Sequence, residues 1–166
     1  TEGWTDADGE PYDTTTSLND GDTVLRIGGT GGEQGVSKSF QTDPGRGFTV
    51  VEADLVKLDS WDEGWRNENE AFTVFVDGEP AFTFQPQGAT DNGNGLDGAS
   101  GTSGNTSWTV TSSGTDTDLN GGGGVFHDRV YSVRMEIAGE RDAVEIGFGT
   151  SLSESMDNES LGISKV

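Results

Sequence analysis

Short runs of β-branched and aromatic residues, alternating with polar ones, recur along the chain. Residues Thr23–Ile27 read Thr-Val-Leu-Arg-Ile, and residues 48–58 form a longer run of the same kind. Alternation with a period of two places one set of side chains on each face of a strand. No long stretch has the 3.6-residue periodicity of an amphipathic helix. The pattern therefore predicts strands throughout and no long helix.

Further strands are predicted at residues 72–76, 81–84, 108–110, 130–137, 144–148 and 161–166. Between the first two of these, Asp77-Gly78 is a strong hairpin signal. About eight or nine short strands fit two packed antiparallel sheets. We expect an all-β fold, a two-sheet antiparallel β-sandwich of jelly-roll or lectin-like type, in one domain over residues 1–166. Seven phenylalanines fall in strand patterns and are assigned to the core: Phe40, Phe48, Phe72, Phe75, Phe82, Phe84 and Phe148.

Residues 87–124 interrupt this pattern. Gly, Asn, Asp, Ser and Thr dominate the segment, and only the run from Trp108 to Val110 reads as a strand. Loops of this length are either functional or disordered. We favour function, because acids and amides spaced closely among glycines can turn several oxygens onto one ion. The candidate residues are Asp91, Asn92, Asn94, Asp97, Asp116, Asp118 and Asn120.

Charge and composition narrow the chemistry. Nine Lys and Arg against thirty Asp and Glu give a net charge of −21, a repulsion that bound cations or salt screening must offset. Nucleic acid is disfavoured as a partner, since phosphate contacts need basic patches. The chain has no Cys and a single His, His127, so thiolate sites are excluded and zinc is poorly supplied. Oxygen ligands remain, and these suit calcium.

Two acidic turns flank predicted strands. Asp59 and Asp62 follow the long strand, and Asp157, Asn158 and Glu159 precede the last one. If the first and last strands of the core lie side by side, the two turns meet and could hold calcium; the alternative is a pair of solvated acidic turns. A third cluster, at residues 6–10, starts like an EF-hand loop but lacks the later ligands and the flanking helices. We expect it to be a frayed acidic terminus.

Three segments together resemble a known family. They are VVEADLVKLDSWD at residues 50–62, FTVFVDG at residues 72–78, and the stretch from IGFGTSL to DNESLGISKV at residues 146–166. In this order they resemble the β-sandwich ligand-binding domains of long bacterial RTX adhesins, and within that group the calcium-dependent peptide-binding domain. The chain departs from the pattern at Ser164-Lys165, where Asp-Asn is expected, so no metal ligand is assigned there.

The resemblance implies a role as well as a fold. Asp59, Asp62 and the Asp157, Asn158, Glu159 turn would hold structural calcium, and the 87–124 loops would build a ligand site with a further calcium. The ligand would be a peptide, held by its C-terminal carboxylate, on another cell or host surface. The protein would be a monomeric module of a larger, secreted cell-surface adhesin that acts in attachment and biofilm formation. Calcium-dependent carbohydrate binding is the alternative, and a structural spacer is the third hypothesis.

Aromatic residues beside these turns are candidate stacking surfaces, with packing as the alternative role for each. They are Tyr12, Trp61, Trp65 and Trp108, of which Trp108 lies inside the loop region and is the candidate ligand contact.

Enzyme chemistry is not expected. Glu52 and Asp54 begin the Glu-x-Asp-x-x-Glu pattern of jelly-roll glycosidases, but Lys57 stands where the second Glu is needed. His127-Asp128 offers two partners of a serine triad, but no Gly-x-Ser-x-Gly elbow accompanies them. No stretch is long and apolar enough to insert into a membrane, and no signal peptide begins the chain, so an excised internal domain is expected.

Overall fold

The computed structural model describes residues 2–59, 61, 70–85, 96–112, 119, 128–157 and 159–166, and for Asp59 the backbone alone. In chain order its elements are β1 Thr5–Asp6, β2 Thr15–Ser17, β3 Thr23–Ile27, β4 Val36–Gln41, a 3-10 turn Pro44–Arg46, β5 Phe48–Asp59, β6 Phe72–Val76, β7 Glu79–Phe84, β8 Ser100–Ser103, β9 Thr106–Ser112, β10 Arg129–Ala138, β11 Ala143–Thr150 and β12 Glu159–Ser164. No helix among the described residues is long and apolar enough to cross a membrane.

The strands form two antiparallel sheets. One has five strands in the order β1-β4-β11-β6-β7, and the other has seven in the order β2-β3-β12-β5-β10-β9-β8. Buried side chains of both sheets join in one hydrophobic core. The predicted two-sheet antiparallel β-sandwich is therefore confirmed.

The alternation of β10 explains how the sheets pack. Tyr131, Val133, Met135 and Ile137 are buried between the sheets, and the intervening residues lie on the outer face. Successive side chains of a strand point to opposite faces, so each buried position commits its neighbours to the other face.

A second apolar cluster lies on the outer face of the seven-stranded sheet. Leu18, Val24, Val56 and Leu58 form it, and Leu119 packs against them. The Leu119 amide donates to Asp128 Oδ2 over 2.6 Å, and the Leu119 carbonyl accepts from the Asn19 amide over 2.6 Å. Residue 119 of the Gly-rich region is thus fastened to the sheet by its backbone and its side chain.

The β6–β7 hairpin turns at Asp77-Gly78, as predicted. Both residues have positive φ, 52° for Asp77 and 80° for Gly78, which is what a two-residue type I′ turn requires. Asp77 also accepts hydrogen bonds from Arg141 Nη1 and from the Glu145 amide, at 2.8 and 3.0 Å. These bonds tie the turn to β11, the strand beside β6.

Four strands are absent from the predicted set, namely β4 and three polar strands. β1, β2 and β8 consist of Thr, Asp, Ser and Gly, and each forms at an edge or beside one existing neighbour. β8 lies inside the 87–124 segment and pairs with β9, so that segment contains a hairpin where a single strand was predicted. Pairing with a neighbouring strand determines whether such a polar segment forms a strand, and composition alone does not reveal that pairing.

Two sequence-based expectations are wrong. Phe48 is 46% exposed, because it lies at a position of β5 that faces away from the core. The acidic cluster at residues 6–10 is not frayed: Asp6 Oδ1 accepts from the amides of Asp8 and Glu10, at 3.0 and 2.9 Å, and Asp6 pairs with β4. The Asp6 carboxylate therefore stabilises this turn by accepting hydrogen bonds from its backbone amides.

Candidate functional site

The strands that flank most of the predicted metal and ligand residues have those flanking ends at one end of the sandwich, here called the loop end. β5, β7 and β9 finish there at Asp59, Phe84 and Ser112, and β6, β10 and β12 begin there. At this end the Ser151 amide donates to the Ala71 carbonyl over 2.9 Å, which continues the pairing of β11 with β6 within the five-stranded sheet. The described strand ends that flank residues 60–69, 86–95 and 113–127 therefore lie at the same end of the sandwich.

Two carboxylic acids are enclosed at the loop end. Glu159 is fully buried and Glu70 is 2% exposed. Glu70 Oε1 accepts from the amide and the hydroxyl of Ser153, at 3.2 and 3.1 Å, and Glu159 Oε2 accepts from the Glu154 amide at 3.3 Å. Glu159 Oε1 has no hydrogen-bond donor. An unsatisfied buried oxygen of this kind calls for a proton or a cation.

The surroundings of Glu159 favour its protonated form in the absence of a cation. Burial, then a hydrogen bond and the charge of Glu70, raise the pKa of Glu159 from 4.5 to about 8. The Glu154 amide opposes this by stabilising the carboxylate, and the Glu154 charge adds to the rise. Two adjoining buried carboxylates cannot both ionise at low cost, because like charges in a low dielectric repel strongly.

Two basic residues enter the same polar end of the core. Lys57 and Arg129 face each other across the β5–β10 ladder, and both are buried on the face that carries Leu55 and Tyr131. Both make polar interactions. The core is therefore closed at the loop end by a charged layer, and apolar side chains fill it further in.

Trp61 fixes the chain directly after β5. Its ring is fully buried and meets Phe72 edge-on with the ring centres 6.3 Å apart, and its Nε1 donates to the Ser160 carbonyl over 3.2 Å. Of its two suggested roles, the structure gives Trp61 the packing one. Trp65 lies outside the described residues.

The structure brings part of the predicted metal set together. β12 lies beside β5, and Glu159 pairs with the backbone of Asp59 in the ladder, so one residue from each of the two acidic turns is brought together. The strand begins at Glu159, two residues earlier than predicted, which draws this acid into the sheet. Asp157 is exposed and lies 3.9 Å from Arg26. Asp62 and Asn158 lie outside the described residues.

Asp97 belongs to a different place at the loop end. Its Oδ1 accepts from the Ser112 amide over 3.0 Å at the end of β9. Three strand spacings separate β9 from β12, about 14 Å at the usual inter-strand distance. Asp97 and Glu159 therefore cannot hold the same ion. The remaining candidates lie outside the described residues: Asp91, Asn92, Asn94, Asp116, Asp118 and Asn120.

Trp108 packs within an aromatic group at the side of the sandwich. Its ring centre lies 4.9 Å from Phe82 and 5.1 Å from Phe84, and all three rings close the core between β7 and β9. The ring is half-buried, so one part of it remains accessible as the predicted ligand contact.

The three residues of the glycosidase-like pattern, Glu52, Asp54 and Lys57, lie on opposite faces of β5. Glu52 and Asp54 are on the outer face of β5, where Glu52 lies 3.6 Å from Arg134 and Asp54 accepts from Ser132 Oγ over 2.6 Å. Lys57 points into the core. Asp128 accepts from the Leu119 amide, and His127 lies outside the described residues.

Sequence reasoning missed Glu70. Its only signal is an acid two residues before β6, a strand whose five residues are all buried. Within the described part of the chain, no three acidic or histidine side chains converge as a ready-made metal site. Glu70 and Glu159 nevertheless fit a hard cation, because Glu159 Oε1 is buried without a donor and carboxylate oxygens are calcium's preferred ligands. Further oxygens would come from backbone carbonyls, water or residues outside the described set.

Comparison with protein-family models, curated proteins and solved structures finds no match to this chain.

Proposed function

We propose that this protein is a calcium-dependent ligand-binding module of a bacterial surface adhesin. It acts outside the cell and binds a peptide, through a C-terminal carboxylate, on a partner cell or host surface. The observation that carries the proposal is the buried Glu70 and Glu159 pair at the loop end.

A divalent cation accounts for this pair in the ionised state. It lowers the repulsion between two adjoining carboxylates and supplies the partner that Glu159 Oε1 lacks. Glu70 and Glu159 would hold the ion. Bound there, calcium would link the start of β12 to the segment that enters β6 and so fix the base of the loops.

The adhesin assignment draws on the resemblance of three segments. Residues 50–62, 72–78 and 146–166 fall in β5, β6 and β11–β12, the strands that surround the acidic pair. The likeness is thus concentrated around the proposed cation site.

Ligand binding is assigned to the loop end. Asp97 and Glu159 both lie there, but they are too far apart to bind the same ion. One cation position can therefore be structural while another faces a ligand. A metal ion inverts the local charge, which lets a protein of net charge −21 attract a carboxylate.

A paired screen tests the function. The protein is applied to a peptide library with free C-termini and to a glycan array, each with calcium and with chelator. We expect calcium-dependent peptide binding, its loss in Glu159→Gln and Glu70→Gln, and its retention in Glu140→Gln, which removes an exposed charge in the β10–β11 turn. Calcium-dependent binding of sugars alone would replace the peptide ligand by a carbohydrate. No calcium-dependent ligand of either kind would leave the spacer hypothesis in its place.

A further inference from the structure

The long strand β5 has a free edge over its first half. β10 pairs with β5 along residues 48–57, whereas β12 pairs only with residues 54–59 and ends at Ser164. Among the described strands, none lies on the β12 side of residues 48–53. A stretch of that length spans roughly 20 Å. One side of β5 is therefore unpaired there, at the end of the sandwich opposite the loop end.

The ladder determines which backbone groups lie on this edge. The Asp54 amide donates to the Lys165 carbonyl over 3.2 Å, so Asp54 faces the β12 side. The Gly47 carbonyl accepts from the Gly139 amide over 2.8 Å, so odd-numbered residues face β10. In an antiparallel ladder both backbone groups of a residue point to one side, and successive residues alternate. The even-numbered residues consequently present their amides and carbonyls to the free edge: Phe48, Val50 and Glu52.

The side chains along this edge do little to protect it. Proteins usually shield a free edge with charges, proline, bulges or a very short strand. Phe48 and Val50 are instead apolar and exposed, at 46% and 38%. They share the outer face of β5 with Glu52, so two apolar side chains and one acid border the unpaired backbone. Such an edge is suited to accept a further strand.

The other sheet edges in the described part of the chain are better protected. β1 and β2 have two and three residues, and β8 is a polar strand of four. β7 carries Pro80 and a register shift against β6. Short length, proline and bulges all discourage pairing with a foreign strand. The start of β5 therefore stands out, because it combines unpaired length with exposed large apolar side chains.

Charge selects the occupant of the edge. A second copy of this chain would bring together two molecules of net charge −21, and that repulsion opposes self-association. A partner segment that carries Lys or Arg is attracted instead. Glu52 lies 3.6 Å from Arg134, but this ion pair is exposed, and exposed pairs contribute little free energy. Glu52 can therefore also interact with a cation on an added strand.

We infer that residues 48–53 of β5 bind an extended segment of a partner protein as an added strand, antiparallel to β5 and in line with β12. Apolar side chains of the segment face Phe48 and Val50, and a Lys or Arg faces Glu52. This inference goes beyond the proposed function, since the edge lies away from the loop end and its pairing needs no calcium.

A capped peptide, Thr-Lys-Thr-Val-Thr-Ile-Thr, tests the edge. It is titrated into isotope-labelled protein in chelator, and amide resonances are followed by NMR. We expect shifts at residues 48–54. N-methylation of the Lys, Val and Ile amides, which face β5 in this pairing, is expected to weaken binding at least about tenfold. N-methylation of three threonine amides, which face away, is expected to change binding less than about twofold.

Variants of the protein locate the site. Val50→Pro removes an amide that faces the free edge, a position where proline is tolerated, and is expected to weaken peptide binding about tenfold. Thr102→Pro is the control, because the ladder of β8 with β9 places that amide on another free edge. It should bind the peptide as the parent does. Should Val50→Pro unfold, the two methylated peptides still decide the inference.

The outcomes that would overturn the inference are distinct. They are equal weakening by the two methylation patterns, shifts that map to other surfaces, and unchanged binding by a folded Val50→Pro. A peptide with Glu in place of Lys is expected to bind about fivefold more weakly, and equal binding would contradict the choice of a basic segment. A dimer that Val50→Pro dissociates would assign the edge to a second copy instead. Glu159→Gln is expected to bind the peptide normally, so loss of the calcium proposal leaves this inference standing.

Discussion

At the scale of single residues, the central feature is a carboxylic acid with an incomplete set of partners. A carboxyl group enclosed by protein can take a proton, pair with a basic side chain or bind a metal ion, and each choice has a different pH dependence. Glu159 accepts one backbone hydrogen bond and adjoins Glu70, while Lys57 and Arg129 face each other on β5 and β10, the next two strands of the sheet. With the proposed calcium ion at this pair, its protonation state is expected to depend on both pH and calcium.

Without calcium, the free energy of unfolding is expected to fall as the pH rises from about 6 to about 8. The folded state raises the pKa of Glu159 from 4.5 to about 8, so this group's contribution is fully present below pH 4.5 and is lost as the pH passes through about 8. Carboxylic acids with ordinary pKa values are already ionised at about pH 6, but a histidine ordinarily titrates inside this window and the chain has one, so a variant at Glu159 is needed to assign the effect. Urea denaturation in chelator at both pH values measures the effect.

The matched variant is Glu159→Gln, which mimics the protonated acid. Its stability is expected to be nearly constant over the same range. If the variant keeps the pH dependence of the parent protein, the titrating group lies elsewhere.

Site residues were predictable only where strand order could be guessed. The juxtaposition of Asp59 with Glu159 was expected if the first and last strands of the core are neighbours; β12 lies between β3 and β5, and its ladder with β5 brings the two residues together. Glu70 could not be found in this way, because its burial depends on a contact with Ser153, 83 positions away in the sequence. Single acids are uninformative in a chain with thirty of them.

At the scale of elements, the β8–β9 hairpin shows how polar strands are recruited to the fold. Gly101 pairs with Trp108, and a methyl group added at Gly101 would lie 2.5 Å from Trp108 Cζ2. The missing side chain lets the Trp108 ring lie flat across β8 and reach Phe82 and Phe84. One glycine therefore controls how the edge of the core is closed.

Gly101→Ala is expected to destabilise the protein by about 1–3 kcal/mol, the usual cost of forcing an extra carbon into a packed site. The substitution displaces the Trp108 ring from its two phenylalanine neighbours. Chemical denaturation followed by tryptophan fluorescence measures both changes. Ser103→Ala, at an exposed position of the same strand, is the control and should be neutral. A Gly101→Ala protein as stable as the parent would show that the ring does not depend on this close approach.

The strands that sequence predicts well are the ones that bury apolar residues. β3, β5, β6, β10 and β11 each carry a clear alternating or continuous apolar pattern. β1, β2 and β8 carry none, since their stability comes from pairing with a neighbour already in place. The fold class was accessible for that reason, and the number of strands was not.

At the scale of the whole molecule, the question is how a net charge of −21 is tolerated. General screening acts on all exposed acids and grows gradually with ionic strength, as the Debye length shrinks from about 10 Å at 0.1 M to about 3 Å at 1 M salt. The ion proposed at Glu70 and Glu159 would act differently, because its effect would saturate and would depend on two side chains. The two contributions can therefore be separated by the choice of cation and by one substitution.

The melting temperature at neutral pH, measured in calcium chloride and in sodium chloride of equal ionic strength, tests the central claim most directly. Calcium at about 100 times its dissociation constant adds about 2.7 kcal/mol, which for a domain of this size corresponds to roughly 5–10 °C. We expect that rise in the parent protein and in Glu140→Gln, and its absence in Glu159→Gln. Equal melting temperatures in the two salts would contradict the account.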